Sequence, residues 1–115
     1  MKKGQKAMTV KGLVNLSGFS PIFVDDEDRE ISGAYVGDLL SWVMGRAKAN
    51  DAWITIMSNL NVVAVATLAD VSCVIFAEGV IPDAEVIEVA RSKGVSLISS
   101  SLSAYETAVR ISEFL

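Results

Sequence analysis

"AWITIMSNLNVVAVATLADVSCVIFAEGVIPDAEVIEVARSKGVSLISS", residues 52–100, decides the fold. "AWITIM" (52–57), "VSCVIFA" (71–77) and "VSLISS" (95–100) are short, β-branched and nearly continuous in apolar character. Between them lie "NLNVVAVATLAD" (59–70) and "PDAEVIEVARSKG" (82–94), whose length and spacing predict helices. Strands without polar alternation are buried on both faces, which is the mark of a parallel sheet covered by helices. The expected architecture is a three-layer α/β domain. Its mainly parallel central sheet has about 4–6 strands, helices cover both faces, and the crossovers are right-handed.

The helix boundaries are signalled locally. Pro82 is expected in the first turn of its helix, with Asp83 and Glu85 early and Arg91, Lys93 and Gly94 at the end, as the macrodipole favours. Downstream, "SAYETAVRISEFL" (103–115) predicts a last helix, with Ser103 and Glu106 at capping-box spacing.

Upstream, Thr9 is a plausible N-cap for a short helix bearing Val10, Leu13 and Val14, stopped near Gly18. "SPIFV" predicts a strand with Pro21 at its start, where a missing N–H costs least. "DDEDRE" (25–30) is a solvated charged turn, since mutual repulsion opposes its burial. "ISGAYVG" (31–37) predicts a glycine hairpin adding edge strands to the sheet. Asp38 then stands where an N-cap belongs, before a helix with Leu39, Trp42, Val43 and Arg46 at helical spacing.

The 115 residues predict one domain, with residues 1–8 a basic, flexible segment and 9–115 the folded unit. A composition 51% hydrophobic and 21% charged is that of a globular core former rather than a disordered chain. The net charge of −4 argues against a nucleic-acid partner. Lys2, Lys3, Lys6 and Lys11 form a local basic start, read as a solvated terminus or a tag remnant. The apolar window 60–77 is interrupted by Asn61, Asp70 and Ser72 and is read as helix then strand, with no membrane span. No apolar h-region follows the first lysines, so no secretory signal is expected. With a single cysteine, a reducing cytoplasm is the expected location.

Catalytic chemistry is disfavoured. Histidine is absent, which removes a Ser-His-Asp triad and the commonest transition-metal ligand. Cys73 is alone inside an apolar run, so neither a disulfide nor a cysteine metal site is expected. Neither GxxxxGK[ST] nor GxGxxG occurs. The chain is therefore expected to be no enzyme, with no cofactor and no metal.

Open α/β sheets bind ligands beyond the carboxyl ends of their strands. Here those ends run into "MSNLN" (57–61), "EGVIPD" (78–83) and "SSSLS" (99–103), each entering a helix N-terminus that favours an anion. Asn59, Asn61, Ser101 and Ser103 are candidate ligand groups, though a helix cap is the first role expected of Asn59 or Asn61 and of Ser103. Asp38 and Thr55 join them as candidate lining of a polar pocket.

Taken in order, Asp28-Arg29, Ser32-Gly33, Tyr35, "DLLSWVM", "WIT" and the serine-rich helix entry resemble the DRTGG domain family, from about Thr9 onward. Two departures stand out. The family's Thr-Gly-Gly is Ser32-Gly33-Ala34 here, and the glutamine and histidine associated with the loop after "WIT" are Met57 and Asn59. The resemblance implies a non-catalytic module of the kind that accompanies adenine-nucleotide-sensing CBS pairs. It also implies relation to the N-terminal region of HPr kinase/phosphorylase and to stand-alone domains of bacterial iron-only hydrogenase systems. On that basis the chain is expected to be a regulatory sensor of a small anionic metabolite, an adenine nucleotide among the candidates, coupled to a redox-enzyme or hydrogenase partner. Ser32 and Gly33 join the ligand candidates. The alternative is a purely structural homodimerisation module, with Tyr35, Leu39, Trp42 and Val43 on the contact surface; both tryptophans lying inside is the competing expectation.

Overall fold

The computed structural model describes residues 8–115. Nearly all of the basic segment 1–8 lies outside the described residues. The chain order is β1 (Met8–Thr9), α1 (Val10–Val14), β2 (Phe19–Phe23), β3 (Glu30–Ile31), β4 (Gly33–Val36) and α2 (Leu40–Arg46). It continues with β5 (Asp51–Thr55), α3 (Leu60–Ala69), β6 (Cys73–Phe76), α4 (Ala84–Lys93), β7 (Leu97–Ser100) and α5 (Ala104–Ser112). Five strands form the central sheet in the order β2-β7-β6-β5-β4. β4 through β7 are parallel, and β2 is an antiparallel edge on β7.

β4, β5, β6 and β7 step across the sheet in one direction, so α2, α3 and α4 cover the same face. Every residue of β5 and β6 is buried, as their apolar runs require. Alternate side chains divide between two cores. Trp53, Val74, Phe76 and Leu97 meet Val43, Val62, Val63, Val86 and Ala90 from α2, α3 and α4. On the opposite face, Ala52, Ile54, Cys73, Ile75 and Ile98 meet Val10, Leu13 and Ile111 from α1 and α5. The three-layer expectation holds, and the sheet has five strands.

Three local expectations are corrected. Residues 31–37 form no hairpin: β4 lies parallel to β5, while β3 pairs antiparallel with β1 in a separate ribbon. The glycine-flanked segment passes from one sheet to the other instead of folding back. Pro82 precedes α4 rather than opening it, because Asp83 holds the N-cap position. Pro21 sits in the middle of β2, where an edge strand with a register irregularity between Pro21 and Phe23 tolerates the missing donor. α1 ends at Val14, and Gly18, with φ of 94°, turns the chain into β2.

The cap signals at the ends of α1, α3, α4 and α5 are realised. Thr9 accepts from the Gly12 N–H, Asn59 from the Asn61 N–H, and Ser103 completes a reciprocal capping box with Glu106. Gly94 closes α4 in the left-handed conformation, and Asp70 does the same for α3 at φ of 58°. Among the described residues, no helix is long and apolar enough to cross a membrane.

Candidate functional site

At the carboxyl ends of the parallel strands, most candidate polar groups are already engaged. Asp38 does not cap α2, whose N-cap is Leu39 with no side-chain bond. Its carboxylate instead accepts from Thr55 Oγ1 at 2.7 Å and from the Ile56 N–H at 2.9 Å. Thr55 Oγ1 in turn accepts from the Met57 N–H at 3.1 Å. Asp38 and Thr55 therefore do come together, but as a tie that fixes the exit of β5 to the exit of β4.

Beyond that tie, Asn59 and Asn61 line a groove of about 490 Å³ with Ser58, Asp83 and Glu85. Two carboxylates on one wall repel an anion, which works against the anion-binding reading of this helix entry. Ser101 faces Gly18, whose carbonyl accepts from the Ser101 N–H at 2.9 Å, and Ser103 is committed to its capping box. Nothing brings Ser101 and Ser103 into that groove. Parallel strands that step in one direction make no reversal of strand order among β4–β7, and a reversal is what opens a ligand crevice in this fold class.

Ser32 and Gly33 lie at the other end of the sheet. With Ala34, Tyr35, Arg46, Lys48 and Asp51 they line a second pocket of about 410 Å³. Sequence reasoning missed Arg46, Lys48 and Asp51, because they converge on Ser32 only through the parallel register that sets Gly33 opposite Asp51. Gly33 is needed there: a Cβ would stand 2.6 Å from Asp51 Oδ1. Asp51 is only 7% exposed, and its Oδ2 accepts from the Lys48 N–H at 2.8 Å, so its room to retreat is small. Ala34 carries no such demand. It is an ordinary strand residue paired with Ala52 and has no positive φ, so the family's second glycine is replaced without strain.

Asp28-Arg29 is more than a solvated turn. The Arg29 guanidinium donates to Asn50 Oδ1 at 3.0 and 3.2 Å, to the Asp70 carbonyl at 2.7 Å and to the Asp70 carboxylate at 2.9 Å. Asn50 and Asp70 both have positive φ, at 69° and 58°. One arginine thus pins two left-handed loop residues, at the entrance to β5 and the end of α3.

Cys73 is fully buried, and that burial pushes its thiol from 9.0 up to about 12, with only partial relief from the nearby Arg29 charge. The neutral thiol is not a nucleophile. Folded protein is expected to resist a thiol reagent near neutral pH and to react only as it unfolds, measured by labelling in increasing urea. The same shift sets a pH dependence. The folded thiol keeps its proton while the unfolded one ionises, so stability is full below 9.0 and falls as the pH climbs from there towards about 12.

The four surface candidates divide. Val43 is wholly buried against the α3 side of the core and presents nothing to a partner, which corrects its assignment to a contact surface. Tyr35 is half-buried against the same core. Leu39 and Trp42 are 57% and 52% exposed. Trp53 is fully buried, and its indole N–H donates to the Gly37 carbonyl at 2.8 Å. One tryptophan is thus internal and the other is on the surface, where the Arg46 guanidinium stacks 3.8 Å from its ring centroid.

Comparison with known proteins bears on this arrangement. No curated protein matches the chain. A similar solved structure is the crystal structure of the CBS and DRTGG domains of the regulatory region of Clostridium perfringens pyrophosphatase, complexed with the activator diadenosine tetraphosphate. The TM-score is 0.74 at 17% sequence identity over 90% of this chain, a likeness of fold. The chain spans 45% of that structure's length. The DRTGG domain family matches residues 24–114, from the Arg29 clamp through α5. On a match of that extent, the chain belongs to the DRTGG domain family.

Proposed function

We propose that the chain is a non-catalytic regulatory module that acts by self-association and takes a small anionic metabolite as its signal. The observation that carries this reading is the contrast between the two sheet edges. β2 is guarded by Pro21 and a register irregularity, the devices that keep an edge from pairing. β4, "GAYV", has neither proline nor charge, and Val36, Leu39 and Trp42 stand 49%, 57% and 52% exposed along and just beyond it. An open edge beside large apolar side chains suits a two-fold contact, in which β4 of one protomer lies antiparallel to β4 of another. Trp42 flanks that contact as an aromatic anchor.

The regulatory part of the reading is supported by family membership and by the pyrophosphatase regulatory region of like fold, which was crystallised with a nucleotide activator. An adenine nucleotide is accordingly among the candidate signals. The stand-alone members that the sequence resembles suggest a redox enzyme of an iron-only hydrogenase system as partner, within the cytoplasm. A second reading, an assembly module without a ligand, is favoured by the acidic wall of Asp83 and Glu85 and by the caps that already occupy Asn59 and Ser103.

The test is light scattering of wild type and Trp42→Glu. The wild type is expected to be dimeric and the variant monomeric, with the protomer still folded because the site is exposed. A folded W42E variant that remains dimeric would sink the contact assigned to this face.

A further inference from the structure

The geometry points to a binding site for a phosphorylated polyol, a sugar phosphate or nucleotide, in the pocket between the start of β4 and the end of α2. This deepens the regulatory reading above, since it supplies a location and a chemical class for the signal. Four observations converge. The pocket, about 410 Å³, lies in the ordinary range for small-molecule sites. Arg46 and Lys48 line it, and neither forms a salt bridge among the described residues. Asp51 lines it too, and although it is only 7% exposed, just one of its oxygens is used: Oδ2 takes the Lys48 N–H, while Oδ1 accepts no hydrogen bond among the described residues. Gly33 lets that free oxygen stand where any side chain would displace it.

Two unpaired cations select an anion, and a carboxylate oxygen left free at the pocket wall selects a hydroxyl donor. A ligand offering both at once is a phosphate ester with free hydroxyls. Inorganic phosphate alone satisfies the cations and leaves Asp51 unsatisfied. The α2 C-terminus adds no positive dipole, so the attraction rests on the two side chains. The pocket is also tied to the proposed contact surface by one residue. Arg46 lines the pocket and stacks on Trp42, so a phosphate that draws the guanidinium inward uncovers the indole. Occupancy and assembly then favour the same inward Arg46 position, which is the differential affinity between two states that regulation requires.

The experiment is calorimetric titration of the full chain with AMP, ribose 5-phosphate and inorganic phosphate, with Trp emission recorded in parallel. Ribose 5-phosphate is expected to bind more tightly than phosphate. Equal binding of AMP identifies the sugar phosphate as the recognised part; tighter binding of AMP adds the base, with Tyr35 as the nearest aromatic. Arg46→Gln and Lys48→Gln, both at exposed positions, should each weaken binding about tenfold, and Asp51→Asn should abolish the preference over phosphate. Emission should change on binding in wild type and not in Trp42→Phe. The proposal is overturned if none of the three binds, if R46Q and K48Q bind as wild type does, or if phosphate binds as tightly as its ester. Such a failure with the dimer intact leaves the assembly reading standing. Conversely, binding in a chain that is monomeric throughout supports the site and removes the contact.

Discussion

Replacing Trp53 with alanine is expected to destabilise the fold by about 3–5 kcal/mol, the range for removing a fully buried aromatic side chain. Trp53 is 0% exposed and spans the layer between the sheet and α2–α4, in the core that also holds Val43, Val62 and Phe76. Its indole N–H also holds the Gly37 carbonyl, at the point where the chain leaves β4. The substitution therefore opens a cavity and removes a hydrogen bond at once. A domain of this size typically has a total stability of about 5–15 kcal/mol, so the loss should lower Tm by about 12–20 °C. Trp53→Phe should keep much of the packing and lose about 1–3 kcal/mol, chiefly through the carbonyl left without its donor. Trp42→Ala, compared at a dilution where the chain is dissociated, should change stability by no more than about 0.5 kcal/mol, being exposed. Urea unfolding followed by far-UV circular dichroism measures all three without depending on the tryptophan signal. Similar losses at Trp42 and Trp53 would contradict the division of the two residues between surface and core.

Removing the Arg29 side chain should cost about 2 kcal/mol, since its hydrogen bonds carry charge and reach three acceptors. The side chain is 29% exposed, which limits the contribution of the ion pair itself, and Asp70 at 67% is more exposed still. The larger part is geometric. Asn50 and Asp70 hold positive φ, and the Asn50 N–H donates to the Asp70 carbonyl that also accepts from Arg29. Arg29→Ala should therefore loosen both loops together, seen as faster amide exchange around residues 50 and 70. Arg29→Lys should recover only part of the stability, because a single ammonium cannot reproduce the planar fork. Wild-type exchange at either loop in R29A would show that the clamp is not what holds them. On this account Arg29 serves the architecture of the chain, and Gly33 leaves room for the Asp51 carboxylate.

The sheet was legible because its strands are apolar on both faces, a pattern that local polarity alone records. The helices with local stop and start signals were legible for the same reason: Ser103 with Glu106, Asn59, and Gly94 each act within one turn. Asp38 was misread because a carboxylate before a helix looks like a cap. The competition comes from β5, where Thr55 and Ile56 offer it an O–H and an N–H across the sheet. Val43 was misplaced with its neighbours Leu39 and Trp42 because α2 is only seven residues long, too short for its pattern to separate a buried face from an exposed one. The Arg46–Lys48–Asp51 pocket was not legible at all. It exists only once β4 is laid parallel on β5, whereas the glycines around "AYV" suggested a hairpin.

Amide exchange at the β4 edge tests most directly whether that edge is the contact surface between protomers. Gly37 donates to the Ile54 carbonyl, so strand alternation directs the N–H groups of Ala34 and Val36 away from β5. Exchange measured on dilute and on concentrated protein should slow at Ala34 and Val36 as concentration rises, while the N–H groups of β6 stay equally protected in both. Unchanged exchange at Ala34 and Val36 across that range, in a protein that light scattering shows to associate, would contradict the account and move the contact to another face.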